Sequence, residues 1–85
     1  MTGSNTEAAI LTLLAERGAG KTICPSEAAR LLARERRAPE EWRKEMAAVH
    51  AAARRLAAEG RAVLMQGGEV VAEPVGAYRI GRGAG

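Results

Sequence analysis

Three helical segments, followed by two strand-like runs around a Gly-Gly pair, predict a mainly α-helical domain that ends in a small β-hairpin. With helices two and three as a helix-turn-helix and the hairpin as a wing, this is the element order of a winged helix. The length agrees, since 85 residues make one domain around a single modest core. The reading places that domain over residues 5–81, with a two- to three-stranded antiparallel wing and flexible tails at 1–4 and 82–85.

Each element has its own signal. Ser4-Asn5-Thr6-Glu7 reads as a capping box, the Ser hydroxyl accepting from the N3 amide while Glu7 reaches back. Ile10, Leu13, Leu14 and Arg17 then fall at helical spacing, and Gly18 closes helix one, over 5–17. Thr22-Ile23, two β-branched residues, suit a very short strand. Pro25 fits the first position of helix two, where its missing N–H would be unpaired anyway. Glu27 in the first turn complements the helix dipole, and Ala28, Leu31 and Leu32 supply the apolar stripe of a helix over 25–34.

Pro39 opens helix three, with Glu40 and Glu41 in its first turn. Trp42, Met46, Val49, Ala53 and Leu56 recur at spacings of four, three, four and three, one buried face, and Gly60 ends the helix. A break near 43–46 would divide it into one turn and a longer helix. After Gly60 the period changes. "RAVLMQ" and "EVVAEP" flank Gly67-Gly68, a pair suited to the positive φ values of a tight hairpin, and Pro74 ends or interrupts the second run. "AYRI", residues 77–80, is a last short strand or an extended segment laying Tyr78 or Ile80 on the core, and "GRGAG" reads as a flexible end. Because so many apolar residues are alanine, the core is expected from Ile10, Leu11, Leu13, Leu14, Ile23, Leu31, Leu32, Trp42, Met46, Val49, Leu56, Val63, Leu64, Val70, Val71 and Ile80.

Composition narrows the function classes. No apolar run approaches the roughly 20 residues of a membrane span, and "MTGSNTEAA" has neither the basic start nor the apolar middle of a signal peptide. One cysteine cannot form an internal disulfide or build a zinc site alone. The expectation is a soluble cytoplasmic protein with no cofactor, metal, membrane or small-molecule substrate, and no catalysis. Net charge is +3 and eleven of the thirteen cations are Arg, which suits bidentate phosphate contacts. That balance permits an anionic partner without demanding one.

"GAGKT" resembles a phosphate-binding loop but lacks its context. Such a loop needs Gly at its first position, then four residues, then Gly-Lys-Ser/Thr between a buried strand and a helix. Here Ala15, inside helix one, holds the first position, Pro25 delays the next helix beyond Thr22, and the chain has no Asp for the magnesium side. Gly20-Lys21-Thr22 reads as a turn.

"GKTICPSEAARLL", the Trp42-Arg43 pair, "RRLAAEGRAVLMQGG" and the final "GAYRI" together resemble a small family of uncharacterised bacterial domains, over about residues 8 to 81. The resemblance implies a winged-helix-like fold and no established activity. In relatives the wing turn often carries lysine, whereas here it is Gln66-Gly67-Gly68-Glu69, which weakens any wing contact to phosphate.

The functional candidates centre on helix three. Opposite its buried face lie Arg43, Lys44, Arg54 and Arg55, with Ala47 and Ala51 between them. Cations flanking a low alanine lane suit close approach to a phosphate backbone of DNA or RNA. Lys21, Arg61 and the amides near Ser26 at the start of helix two add contacts. Glu40, Glu41, Glu45 and Glu69 oppose this, and helix three carries no Asn or Gln for reading base edges. The expectation is therefore regulatory nucleic-acid binding, mainly through phosphates. The alternative is a protein-interaction or dimerisation module, with alanines 47, 48, 51 and 52 packing on a partner protein or a second copy. A third candidate is redox sensing by Cys24, a thiol in the positive potential of a helix N-terminus beside Lys21, weighed against a small buried capping residue. His50, mid-helix three, is expected to be hydrogen-bonded or exposed, Trp42 to lie in the core, and Arg36 and Arg37 to form a solvated cluster.

Overall fold

The computed structural model describes residues 5–83. Helix α1 spans Asn5–Arg17, strand β1 Thr22–Ile23 and helix α2 Pro25–Glu35. A 3₁₀ segment, Pro39–Glu45, leads into helix α3, Met46–Ala58, followed by strands β2 (Ala62–Gln66), β3 (Glu69–Val70) and β4 (Arg79–Arg82). The four strands form one antiparallel sheet in the order β1-β4-β2-β3. The arrangement is winged-helix-like, mainly helical, with α2, the 3₁₀ segment and α3 as the helix-turn-helix.

The core rests on one row of the sheet. Ile23 pairs with Ile80, and Ile80 with Leu64, so three aliphatic side chains line up across β1, β4 and β2, all essentially fully buried. Ile10 and Leu14 of α1, Leu32 of α2, and Val49 and Leu56 of α3 close over them. Seven alanines, at 9, 28, 29, 33, 52, 53 and 62, are buried as well. They let the helices approach the sheet and one another closely; Ala28 and Ala53 were expected on buried faces, the other five were not. Val70, expected in the core, is 64% exposed, because β3 is a two-residue edge strand beyond the helices' cover.

Most local signals hold in place. Gly67 and Gly68 both have positive φ, 62° and 84°, as a two-residue hairpin of this twist requires. Only Glu69–Val70 of "EVVAEP" is strand, and Pro74 is buried in the loop that follows. The break in helix three is real. The segment Pro39–Glu45 is kinked at Glu41 (φ −101°, ψ 21°), and it leaves Trp42 and Glu45 half-buried against the protein with Glu40, Glu41, Arg43 and Lys44 exposed.

The C-terminus differs from expectation. β4 is central in the sheet and runs to Arg82, and the Gly83 amide donates to the Arg61 carbonyl at 3.1 Å. The flexible tail assigned to 82–85 thus loses at least its first two residues to the sheet. Composition hid this: small and glycine residues read as tail, yet here they are what a close crossing over Gly60 and Arg61 needs. Ser4 of the expected capping box lies outside the described residues.

Candidate functional site

The residues predicted to meet nucleic acid divide into those held by the protein and those free of it. Arg54 and Arg55 are adjacent on α3 but diverge. Arg55 Nε donates to Glu7 Oε2 at 2.7 Å, reaching back to the first turn of α1. Arg54 is exposed and has no ion-pair partner among the described residues. Arg55, expected to face outward, is therefore half of a structural ion pair. Lys44 pairs with Glu41 at 3.4 Å and Arg61 with Glu59 at 3.6 Å, both at the surface. Lys21 is exposed on the turn before β1 and has no ion-pair partner among the described residues. The turn itself, with Lys21 N–H donating to Gly18 O at 3.3 Å, leads directly into β1 and not into a helix.

The acids that seemed to oppose DNA at the start of helix three are partly neutralised. Glu41 is taken by Lys44, and Glu45 by Arg36 at 3.1 Å, so Glu40 alone of the three has no ion-pair partner among the described residues. Along α3 the outward stripe is Ala47, Ala48, Ala51, Arg54, Arg55 and Ala58, while Ala52, expected with 47, 48 and 51 on a surface for a partner protein, is fully buried. Its side chain falls on the Val49–Leu56 face, one helical turn from each.

Trp42 is not in the core. It is half-buried at its edge, and two guanidinium groups lie over its ring: Arg30 of α2 at 4.1 Å and Arg43 of the 3₁₀ segment at 4.5 Å from the ring centroid. The indole π-face offsets their mutual repulsion. Arg30 was absent from the predicted set, because nothing in the local sequence of α2 shows which residue the 3₁₀ segment will lie against. Nearby Arg37 adopts φ 63°, a left-handed conformation usual for glycine, as the Ala38 and Arg37 amides close the end of α2 on Ala33 and Arg34 carbonyls at 2.9 and 3.0 Å.

The sequence model of a family described as a protein of unknown function, DUF3253, matches residues 3–83. The chain belongs to that family. No curated protein matches it.

At the other end of α2 the DUF3253 domain builds a tight polar knot from the "TICPSE" segment. Cys24 caps α2: its amide donates to Glu27 Oε2 at 2.8 Å, and the Glu27 amide donates to the Cys24 carbonyl at 2.9 Å. Burial works against the Glu27 charge, but the Cys24 amide and the Arg17 guanidinium outweigh it and hold the carboxyl below the usual glutamate range. Arg17 also donates to the Thr22 carbonyl at 3.0 Å, and Arg79 Nε to Thr22 Oγ1 at 2.6 Å. Ser26, near whose amides a phosphate contact was expected, donates its hydroxyl to Cys24 Sγ at 3.3 Å. Cys24 is half-buried and, with Thr22, Gln66, Tyr78 and Arg79, lines a cavity of about 400 Å³ under the hairpin. Tyr78 is buried there and shares a 2.6 Å hydrogen bond with His50 Nδ1. Burial pushes its phenol up, Arg54 pulls it down and Cys24 pushes it up. Among the described residues no group of three metal-ligating side chains converges, and no helix is long and apolar enough to cross a membrane.

Proposed function

We propose that this domain binds nucleic acid, chiefly duplex DNA, by contacts to the phosphate backbone along α3. The observation that carries the reading is the outward face of that helix. Ala47, Ala48 and Ala51 leave it low enough for the backbone to approach, and Arg54 stands beside them unengaged by any acid among the described residues. Arg43 extends the cationic face onto the 3₁₀ segment and Lys21 supplies further positive charge outside it, while Lys44 and Arg61 would exchange their surface partners Glu41 and Glu59 for phosphate. The absence of Asn and Gln from α3 fits contact that tracks phosphate more than sequence.

A homodimer is the second reading, favoured by one groove. Between the end of α3 and the hairpin lies an apolar cleft of about 620 Å³ whose charged lining residues are Arg54 and Glu73. Neither has an ion-pair partner among the described residues, and a two-fold would set each against the other's counterpart in a second copy.

One experiment separates the two. An amide-resolved NMR titration with mixed-sequence duplex at low salt should shift residues 43–55 and 61, with the shifts fading at physiological salt. Arg54→Ala should weaken the binding about three- to tenfold. Silence at low salt, where the nonspecific electrostatic term is greatest, sinks the DNA reading. Shifts at 54–58 and 70–73 that follow protein concentration without DNA would replace it with the dimer.

A further inference from the structure

We infer that Arg30 and Arg43, braced on Trp42, form a phosphate clamp at the turn of the helix-turn-helix. The inference deepens the nucleic-acid reading and rests on it for the ligand's identity, a phosphodiester backbone. Three observations carry it. The two cations come from different elements, α2 and the 3₁₀ segment, and converge on one indole at 4.1 and 4.5 Å, so they are separated by no more than those two distances together. That places both beside one side chain, within reach of a single phosphodiester backbone. Next, neither is spent on a carboxylate: among the described residues no ion pair involves Arg30 or Arg43, while Glu41 pairs with Lys44 and Glu45 with Arg36.

The third observation is the manner of restraint. A guanidinium held over an aromatic face rather than by a carboxylate keeps N–H donors for bidentate contact with an oxyanion, and neither Arg30 nor Arg43 has a side-chain hydrogen bond or ion pair among the described residues. Held by a carboxylate, the same donors would be occupied, as Arg55 Nε is by Glu7. Stacking also removes part of the side-chain freedom that an unrestrained surface arginine loses on binding. The two arginines are thus fixed and unsatisfied together, on the side of the fold where α2 meets the entry to α3. Arg34 and Arg37, which have no ion-pair partner among the described residues, add positive potential along the same connector.

The test uses the single tryptophan as a local reporter. Intrinsic emission is followed during titration with mixed-sequence duplex DNA and, separately, with inorganic polyphosphate, both at low salt; anisotropy of labelled duplex measures DNA affinity independently. Trp42 emission should change with both ligands. Arg30→Gln and Arg43→Gln should each weaken duplex binding about three- to tenfold and lower the slope of log K against log salt by about 0.9. Unchanged affinity and salt slope in Arg30→Gln, beside clear weakening in Arg54→Ala, would overturn the clamp while the α3 reading stands. No duplex binding by the wild type, with polyphosphate still moving Trp42 emission in an Arg30-dependent way, would uphold an oxyanion clamp and remove the DNA reading. Indifference to both ligands removes both.

Discussion

Arg54→Ala and Arg55→Ala are the same substitution one residue apart on one helix, so their helix-propensity effects nearly cancel. Their structural consequences do not. Arg54 is exposed and unpaired among the described residues, and its loss should cost under about 0.5 kcal/mol. Arg55 binds Glu7 at 2.7 Å, and while the Arg55 side chain is 51% exposed, that of Glu7 is 10% exposed. A fully exposed pair is worth about 0.2–1 kcal/mol, and breaking a buried one costs about 3–5 kcal/mol. A pair with one buried partner falls between, at about 2 kcal/mol. For a domain of this size that lowers Tm by about 8–16 °C. Thermal melts followed by circular dichroism give the difference directly, and a cycle with Glu7→Gln isolates the coupling. Equal, mild effects at both positions, or a coupling within about 0.5 kcal/mol of zero, would refute the argument that α3 is tied to α1 through this pair.

Two further outcomes test other parts of the fold. A Cβ at residue 83 would overlap the Gly60 carbonyl oxygen and the Arg61–Ala62 backbone, so Gly83→Ala should destabilise by about 1–2 kcal/mol; a melt matching the wild type would restore the flexible tail. Tyr78 is the sole tyrosine, so its phenolate absorbance reports one site. It should titrate above the ordinary value of about 10, chiefly because burial disfavours the phenolate, and Arg54→Ala should raise it further. With the folded-state value raised, the neutral phenol's contribution to stability is fully present below about pH 10 and is lost as pH rises through the folded-state value. A normal midpoint insensitive to Arg54 would contradict the placement of Tyr78 beneath the hairpin.

The helices, the hairpin and the break before α3 were legible in the sequence because each rests on local chemistry. Within a helix Pro25 and Pro39 suit the first turn, Gly67-Gly68 accepts two positive φ values, and Ile10, Leu14, Val49 and Leu56 recur with the helical period. Those signals need no knowledge of what lies across the core. Alanine carries no such signal. Ala52 and Ala51 are identical in sequence, and whether one is core and the other surface depends on the phase in which α3 packs. Tertiary structure alone decided which charged side chains are paired. It sent Arg55 to Glu7 and left Arg54 without an ion-pair partner among the described residues, paired Glu45 with Arg36, brought Arg30 to Trp42 across the α2 contact, and drew residues 79–82 into the sheet. Charge pairing and aromatic contact act between side chains that meet only after the chain has closed on itself. For this protein the sequence determined which elements form, and packing determined which of its cations remain open to a partner.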